Sequence, residues 1–484
     1  MSSLADADPP IALGALDGRY RVAVVPLVDH LSEAALNRAR VCVEVEWLIH
    51  LTSGRVVPGV RPLTEPEQAA LRRIAEDFGP ADIAELAELE RVTVHDVKAV
   101  EYFLKRRVAQ LAPDPADAGL PELVHFACTS EDVNNLAYAL MVKGAVERVW
   151  LPAARGLVQQ IAAMARDLAA VPMLAHTHGQ PATPTTMGKE LAVPAYRLDR
   201  QLARVSGTAY RGKLNGATGT YGAHLAAVPE ADWEQVSRSF VEGLGLTWNP
   251  LTTQIESHDW QAELYADLAR FNRILHGFCQ DLWTYISKGY FAQVRGQGTV
   301  GSSTMPHKVN PIRFENAEAN LELSTALLDV LASTLVESRL QRDLSDSSMQ
   351  RNIGSAFGHS LVAVDNVCRG LAGLDAVPEA MAADLDANWE VLAEPIQSAM
   401  RALAAQGVAG MADPYERLKE LTRGRPITRA DLRELIARLG LPPQVEARLL
   451  ALTPGTYVGL AARLVGHLDE LPTGEPANEK DPAP

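Results

Sequence analysis

The chain has 484 residues with 45 Lys+Arg and 60 Asp+Glu, a formal net charge of −15. Hydrophobic residues make up 47% and charged residues 22%, a globular composition that excludes global disorder. The acidic balance disfavours a general nucleic-acid binder or a protein held on an anionic membrane, but not a small anionic ligand gripped by a local cluster of cations. The length suggests about three domains or one long shared architecture.

Four cysteines, Cys42, Cys128, Cys279 and Cys368, stand far apart and form no CxxC pair. Neither a zinc knuckle nor a disulfide framework is predicted, and a reducing cytosol fits. Met1 to Pro10 lacks the basic and apolar regions of a signal peptide, and no apolar run approaches the ~18 residues of a membrane span. A soluble, cytoplasmic protein without metal or cofactor is expected.

Period-2 alternation is hard to find along the chain. Its best example, Arg21–Val28, is a strand candidate broken by Pro26. Pro113 to Pro121 reads as a linker. Leu157, Ile161, Met164 and Leu168 then follow the helical period, as do Trp260, Leu264, Leu268, Phe271 and Leu275. Val294–His307, with Gly296, Gly298 and Gly301, reads as a mobile loop. Leu323, Leu327, Val330 and Leu331 mark a third long helix. The tail from Leu471 to Pro484 is polar and Pro-rich, and disorder is predicted there. Long Ala/Leu helices with 6% aromatics predict a helical bundle. Boundaries near 118 and 372 give a helical domain 1–118, a central long-helix domain 119–372 and a helical domain 373–484. No repeat of about 20–50 residues is present.

Four segments interrupt the helical pattern and are dense in small, hydroxyl, amide and His residues: Thr93–Lys98, His125–Asn135, His176–Thr183 and Gly301–Asn316. Catalytic groups usually sit on such segments. His176 and His178 lack the Cys or carboxylate that would complete a metal site. They read either as loop histidines bonded to backbone or as a general acid or base. Gly301-Ser302-Ser303 reads either as a helix cap or, with Lys308 and Asn310, as a carboxylate-binding loop that holds a hydroxyl. No G-x-S-x-G elbow, Walker A loop or well-formed GxGxxG is present. Arg339, Arg342 and Arg351 with interleaved serines suit a phosphate or carboxylate, or simply a solvated helix face.

Read together, these motifs are specific. Gly301–Asn316, GSSTMPHKVNPIRFEN, resembles the SSxMPxKxNP signature of the fumarase/aspartase superfamily. Thr129-Ser130-x-Asp132-x-x-Asn135 and Thr177-His178-Gly179-Gln180-Pro181 are similar to two further blocks. Within the superfamily the chain resembles the adenylosuccinate lyases, in their longer bacterial form. The stretches Asp17-Gly-Arg19-Tyr20, His95 to Glu101, Gln254, Arg342 to Ser347 and Asn388 to Pro395 carry that likeness, which runs from about residue 13 to about 466. Argininosuccinate lyases and fumarases share the serine-loop signature.

The resemblance implies an all-α, three-domain fold whose long helices build a twenty-helix core in a homotetramer. It implies active sites shared between subunits and β-elimination of fumarate from adenylosuccinate, giving AMP, and from succinylocarboxamide ribotide (SAICAR), giving AICAR. By the same likeness Ser302 is the general base and His178 the general acid, with Glu315 paired to His178. Lys308 and Asn310 bind the succinyl carboxylates. Ser303 and Asn316 belong to the same loop. Thr129, Ser130 and Gln254 contact the succinyl and linking groups. Arg19, Tyr20, Arg342, Ser347 and Arg351 hold the phosphate and ribose. His95 and Asp96 lie near the nucleotide, and His125 matches a further substrate position. Thr299, His176 and Val94 depart from the family pattern without removing a catalytic group.

Overall fold

The structure, a computed structural model, describes residues 13–111, 118–293, 305, 308–416, 418 and 427–470. The expected mobile loop and tail therefore fall almost wholly outside the described residues, and Ser302 and Ser303 with them.

From the N-terminus run α1 (Arg21–Leu31), α2 (Glu33–Ser53), α3 (Glu65–Glu76), α4 (Pro80–Thr93), α5 (Asp96–Leu111), α6 (Ser130–Ala145) and α7 (Leu151–Asp167). A hairpin of β1 (Pro172–Thr177) and β2 (Gln180–Thr186) leads into α8 (Met187–Ser206). Then follow β3 (Arg211–Gly212), α9 (Gly222–Ala227), α10 (Trp233–Gly243), β4 (Thr247–Trp248) and the longest helix, α11 (Asp259–Ser287). The chain continues through β5 (Phe291–Gln293), α12 (Ile312–Leu335), α13 (Ser345–Gln350), α14 (Ile353–Leu371), β6 (Leu374–Ala376), α15 (Pro378–Asp386) and α16 (Ala393–Ala405). Short helices Arg429–Arg438, Pro443–Leu450 and Ala461–Leu464 and a 3-10 helix, Val465–Glu470, complete the described part.

The fold is mostly helical, as expected, but not purely so. Among the described residues three two-stranded sheets form: β1 with β2, β3 with β4, and β5 with β6. Arg21–Val28 is helix rather than strand. Within it Val24 and Leu27 are buried, three residues apart, while Val22, Val25 and Val28 are exposed. That i, i+3 spacing is a helical stripe. Pro26 sits inside α1.

Two compact units emerge, each built from three chain segments. The first contains Met1–Ala154, Gln201–Arg273 and Ala319–Asp365. Its core includes Val41, Val45 and Leu48 of α2, Leu71 of α3, Leu86 of α4, and Val100, Phe103 and Leu104 of α5. The second contains Arg155–Arg200, Ile274–Glu318 and Asn366–Pro484. Its core joins Leu174 of β1 to Leu385, Ile396 and Met400 and to Leu432, Ile436 and Leu449. In this unit Gly188 permits close approach of α8 to α7, because a Cβ there would lie 2.3 Å from the Ala165 carbonyl oxygen.

The predicted stripes hold on α11, where Trp260, Leu264, Leu268, Phe271 and Leu275 are all buried. On α12 Leu331 of the predicted stripe is buried, in line with Leu321, Leu328 and Leu335, whereas Leu323 and Val330 are exposed. Helix α12 thus carries apolar side chains on more than one face.

Candidate active site

The second unit carries the histidine pair on its hairpin. Sequence reading takes His176–Thr183 as an irregular interruption, but it is an antiparallel turn of sheet with Thr177 paired to Gln180. His178 and Gly179 are the two linking residues, with φ of +55° and +71°. Positive φ at both positions suits the right-handed twist of a tight hairpin. His178 is thereby lifted to the tip of a paired element, with its ring exposed.

His176, two residues earlier, faces Lys288, whose Nζ lies 3.2 Å from Nε2. Lys288 also donates to Asp384 Oδ2 at 3.0 Å, and the Tyr290 hydroxyl donates to the same oxygen. Burial alone would raise the Asp384 pKa, but the Tyr290 and Lys288 bonds prevail and hold it below the ordinary carboxyl value. The stem of the hairpin is therefore tied to α15 by a charged network.

The same unit carries the end of the signature motif. Lys308 is exposed, Asn310 is half-buried, and Glu315 and Asn316 stand in the first turn of α12. Glu315 accepts a hydrogen bond from Trp283 Nε1 at 3.2 Å. Among the described residues no bond joins Glu315 to His178 within one chain.

The first unit gathers the remaining candidates. Thr129 caps α6 and Ser130 begins it, within a capping box closed by Asp132. The Asp132 carboxylate accepts from the backbone N–H groups of Thr129, Asn215 and Gly216 and from Lys213 Nζ at 2.8 Å. Asn135 exchanges two further bonds with the backbone of Lys213. These residues of the motif hold its N-terminal turn against the loop Lys213 to Gly219.

Gln254 donates to the Ala217 carbonyl of that loop at 2.9 Å and accepts from Arg342 at 3.4 Å. Arg342 also pairs with Glu131 at 2.9 Å. Burial pushes the Glu131 pKa up despite that partner. Among the described residues Arg342 Nε, Asp346 Oδ2 and His258 Nε2 are sealed from solvent without a hydrogen-bond partner, although His258 Nε2 lies 3.8 Å from Asp346 Oδ2.

Asp96 opens α5 and bridges two arginines, accepting from Arg40 at 2.8 Å and Arg351 at 3.1 Å. Arg351 also binds Glu33 at 2.6 Å. His95, exposed beside Asp96, accepts from Lys98 N–H through Nδ1 at 3.2 Å and so caps the helix. Val94, noted in sequence, has φ +51° and is 88% exposed. For a β-branched residue that is a strained conformation. Arg19 is exposed and Tyr20 half-buried in the turn before α1, and Ser347 lies on α13.

Sequence reasoning passed over Glu44, Arg40, Glu131 as a charge partner, and Lys213. Their partners stand far away in sequence, as Glu131 from Arg342, Glu44 from His125 and Lys213 from Asp132, so no local spacing marks them. The loop Asn215 to Gly222 had a visible signal, being as rich in small and polar residues as the segments singled out. Among the described residues no cluster of His, Cys, Asp and Glu is placed to hold a metal ion, and no helix is long and apolar enough to cross a membrane.

The chain is a lyase, as its match to a family model over most of its length shows. Residues 18–322 match the family model described as Lyase. The fold is that of a fumarate lyase from a Mesorhizobium species, with TM-score 0.72 at 19% identity, covering 91% of this chain and 96% of that one. Residues 338–458 match the model described as Adenylosuccinate lyase C-terminal. Adenylosuccinate lyase of Escherichia coli is 47% identical over 457 residues, spanning 94% of this chain and 98% of its own length. That of Haemophilus influenzae is 46% identical over the same shares. The chain belongs to the adenylosuccinate lyase family.

Proposed function

We propose that the chain eliminates fumarate from adenylosuccinate, leaving AMP, and from SAICAR, leaving AICAR. The observation that carries the reading is the seating of His178 on a two-residue turn, exposed and held by a paired sheet, within a chain 47% identical to a named adenylosuccinate lyase.

The chemistry makes four demands. A base must remove a weakly acidic proton from the carbon next to a carboxylate. Fixed donors must stabilise the aci-carboxylate that results. An acid must protonate the departing nitrogen. The phosphate must be held for orientation. In this reading Ser302 is the base, activated when its loop closes over the substrate. His178 is the acid, and Glu315 pairs with it. Lys308 and Asn310 of the signature motif bind the succinyl carboxylates, Ser303 and Asn316 of the same motif contact substrate, and Thr129, Ser130 and Gln254 face the succinyl and linking groups. Arg19, Tyr20, Arg342, Ser347 and Arg351 take the phosphate and ribose, with His95, Asp96 and His125 around the nucleotide.

The reading includes a cytoplasmic homotetramer with active sites shared between subunits and a three-domain division near 118 and 372. The exposed Leu323 and Val330 on α12 support the assembly, because an unpaired apolar line on a long helix is suited to packing against a second copy.

The test is direct. Adenylosuccinate, SAICAR and argininosuccinate are offered separately and the ultraviolet absorbance change is followed. Turnover of the first two and not the third is expected. Turnover of argininosuccinate alone would overturn the substrate assignment.

A further inference from the structure

One ion pair joins a candidate substrate residue, His125, to a buried carboxylate so far without a role. Glu44, on α2, is 1% exposed. Both of its carboxylate oxygens are committed to a single residue: Oε2 accepts the His125 backbone N–H at 2.9 Å, and Oε1 lies 2.5 Å from His125 Nδ1. His125 itself has φ +61°, a conformation that non-glycine residues adopt at a cost. One turn further along α2, Trp47 Nε1 donates to the Phe126 carbonyl at 3.1 Å. Two side chains on one face of α2 thus clamp the segment that leads into Thr129 and Ser130.

The clamp settles the imidazole. With Nδ1 given to a buried carboxylate, the ring plane is fixed and Nε2 is left as its outward donor. Among the described residues no bond is made to Nε2, and it is not among the sealed polar atoms. Three carboxylates surround the ring. Glu44 faces it from α2. Glu101, itself bound to Lys98 and Lys105, faces it from α5. Asp132, bound to Lys213, faces it from α6. Burial lowers the His125 pKa, but the Glu44 hydrogen bond and charge, with Glu101 and Asp132, carry it above the ordinary histidine value.

We propose that Glu44 is a positioning residue that holds His125 as a charged Nε2 donor for the anionic part of the substrate. The proposal rests on the reading above for the identity of that substrate and deepens it by naming the group that keeps one binding residue cationic near neutral pH.

The test uses the full-length protein. The His125 ring is titrated by NMR without ligand, and kcat/KM for adenylosuccinate is followed against pH, in the wild type and in Glu44→Gln. The wild-type midpoint should lie above the ordinary histidine range, and the variant's midpoint should drop by about one unit. The basic limb of kcat/KM should move down in step, so that the variant loses about tenfold above neutrality, carried by KM rather than kcat. A simple packing role would leave both midpoint and limb in place, and that result overturns the proposal. If Glu44→Gln fails to fold, His125→Asn and the wild-type titration decide. A raised midpoint with the basic limb abolished in His125→Asn supports the proposal; an ordinary midpoint or an unaltered limb overturns it. Absence of any turnover of adenylosuccinate would instead strike the substrate reading, and the NMR midpoints would still report on Glu44 and His125.

Discussion

Asp132 and Lys213 form an ion pair, Nζ to Oδ1 2.8 Å, in which neither side chain retains any solvent exposure. Desolvation is compensated by the N–H groups of Thr129, Asn215 and Gly216, which also bond the carboxylate. The pair joins the start of α6 to a loop more than eighty residues away in sequence. Asp132, a motif residue with no role of its own in the sequence reading, pins the start of α6 to that loop.

Removing one partner of such a pair leaves an uncompensated buried charge. Asp132→Ala should therefore cost about 3–5 kcal/mol. Lys213→Met should cost less, because Asp132 keeps its backbone donors. Urea denaturation of the two variants checks the order, and a Lys213→Met loss equal to or larger than that of Asp132→Ala would contradict it.

The His178-Gly179 turn makes a second prediction. Gly179 has φ +71°, and an added Cβ meets no neighbouring atom. Gly179→Ala should thus cost only the backbone penalty of about 1–2 kcal/mol. If His178 is the acid, as proposed, the larger effect should fall on turnover, because a small shift of that side chain is costly to the rate. Parallel measurement of kcat and Tm tests this. An unchanged kcat with a lowered Tm would remove the turn from the catalytic machinery.

Asp96 gives a pH prediction. Burial acts to raise its pKa, but Arg40, the Val97 N–H and Arg351 hold it below the ordinary carboxyl value. The folded state therefore binds the proton less readily than the unfolded chain. The resulting stabilisation is present above the unfolded pKa of about 3.9 and is lost as pH falls through the folded value. The stability difference between wild type and Asp96→Asn should be widest near neutrality and close on acidification below about pH 4. Equal differences at both pH values would show that the charge of Asp96 is not the stabilising feature.

Much of the scaffold is legible in sequence because long helices repeat their apolar period within one element. Trp260 to Leu275 on α11 shows this, and all five predicted positions are buried. Arg21–Val28 misleads because a run of valines also fits a strand, and only Val24 with Leu27 reveals the buried face. The hairpin around His178 escapes notice because His-Gly is not one of the common turn pairs and β2 carries two prolines, Pro181 and Pro184. The candidate residues themselves stand out by residue type. Their partners do not, since Glu44 with His125 and Asp132 with Lys213 are joined only by tertiary folding.

The measurement that bears most directly on the proposed mechanism is single-turnover conversion of adenylosuccinate by Ser302→Ala, with nucleotide binding measured on the same sample. Loss of turnover by orders of magnitude with binding nearly kept is the predicted result. Near-normal turnover in that variant would contradict Ser302 as the base.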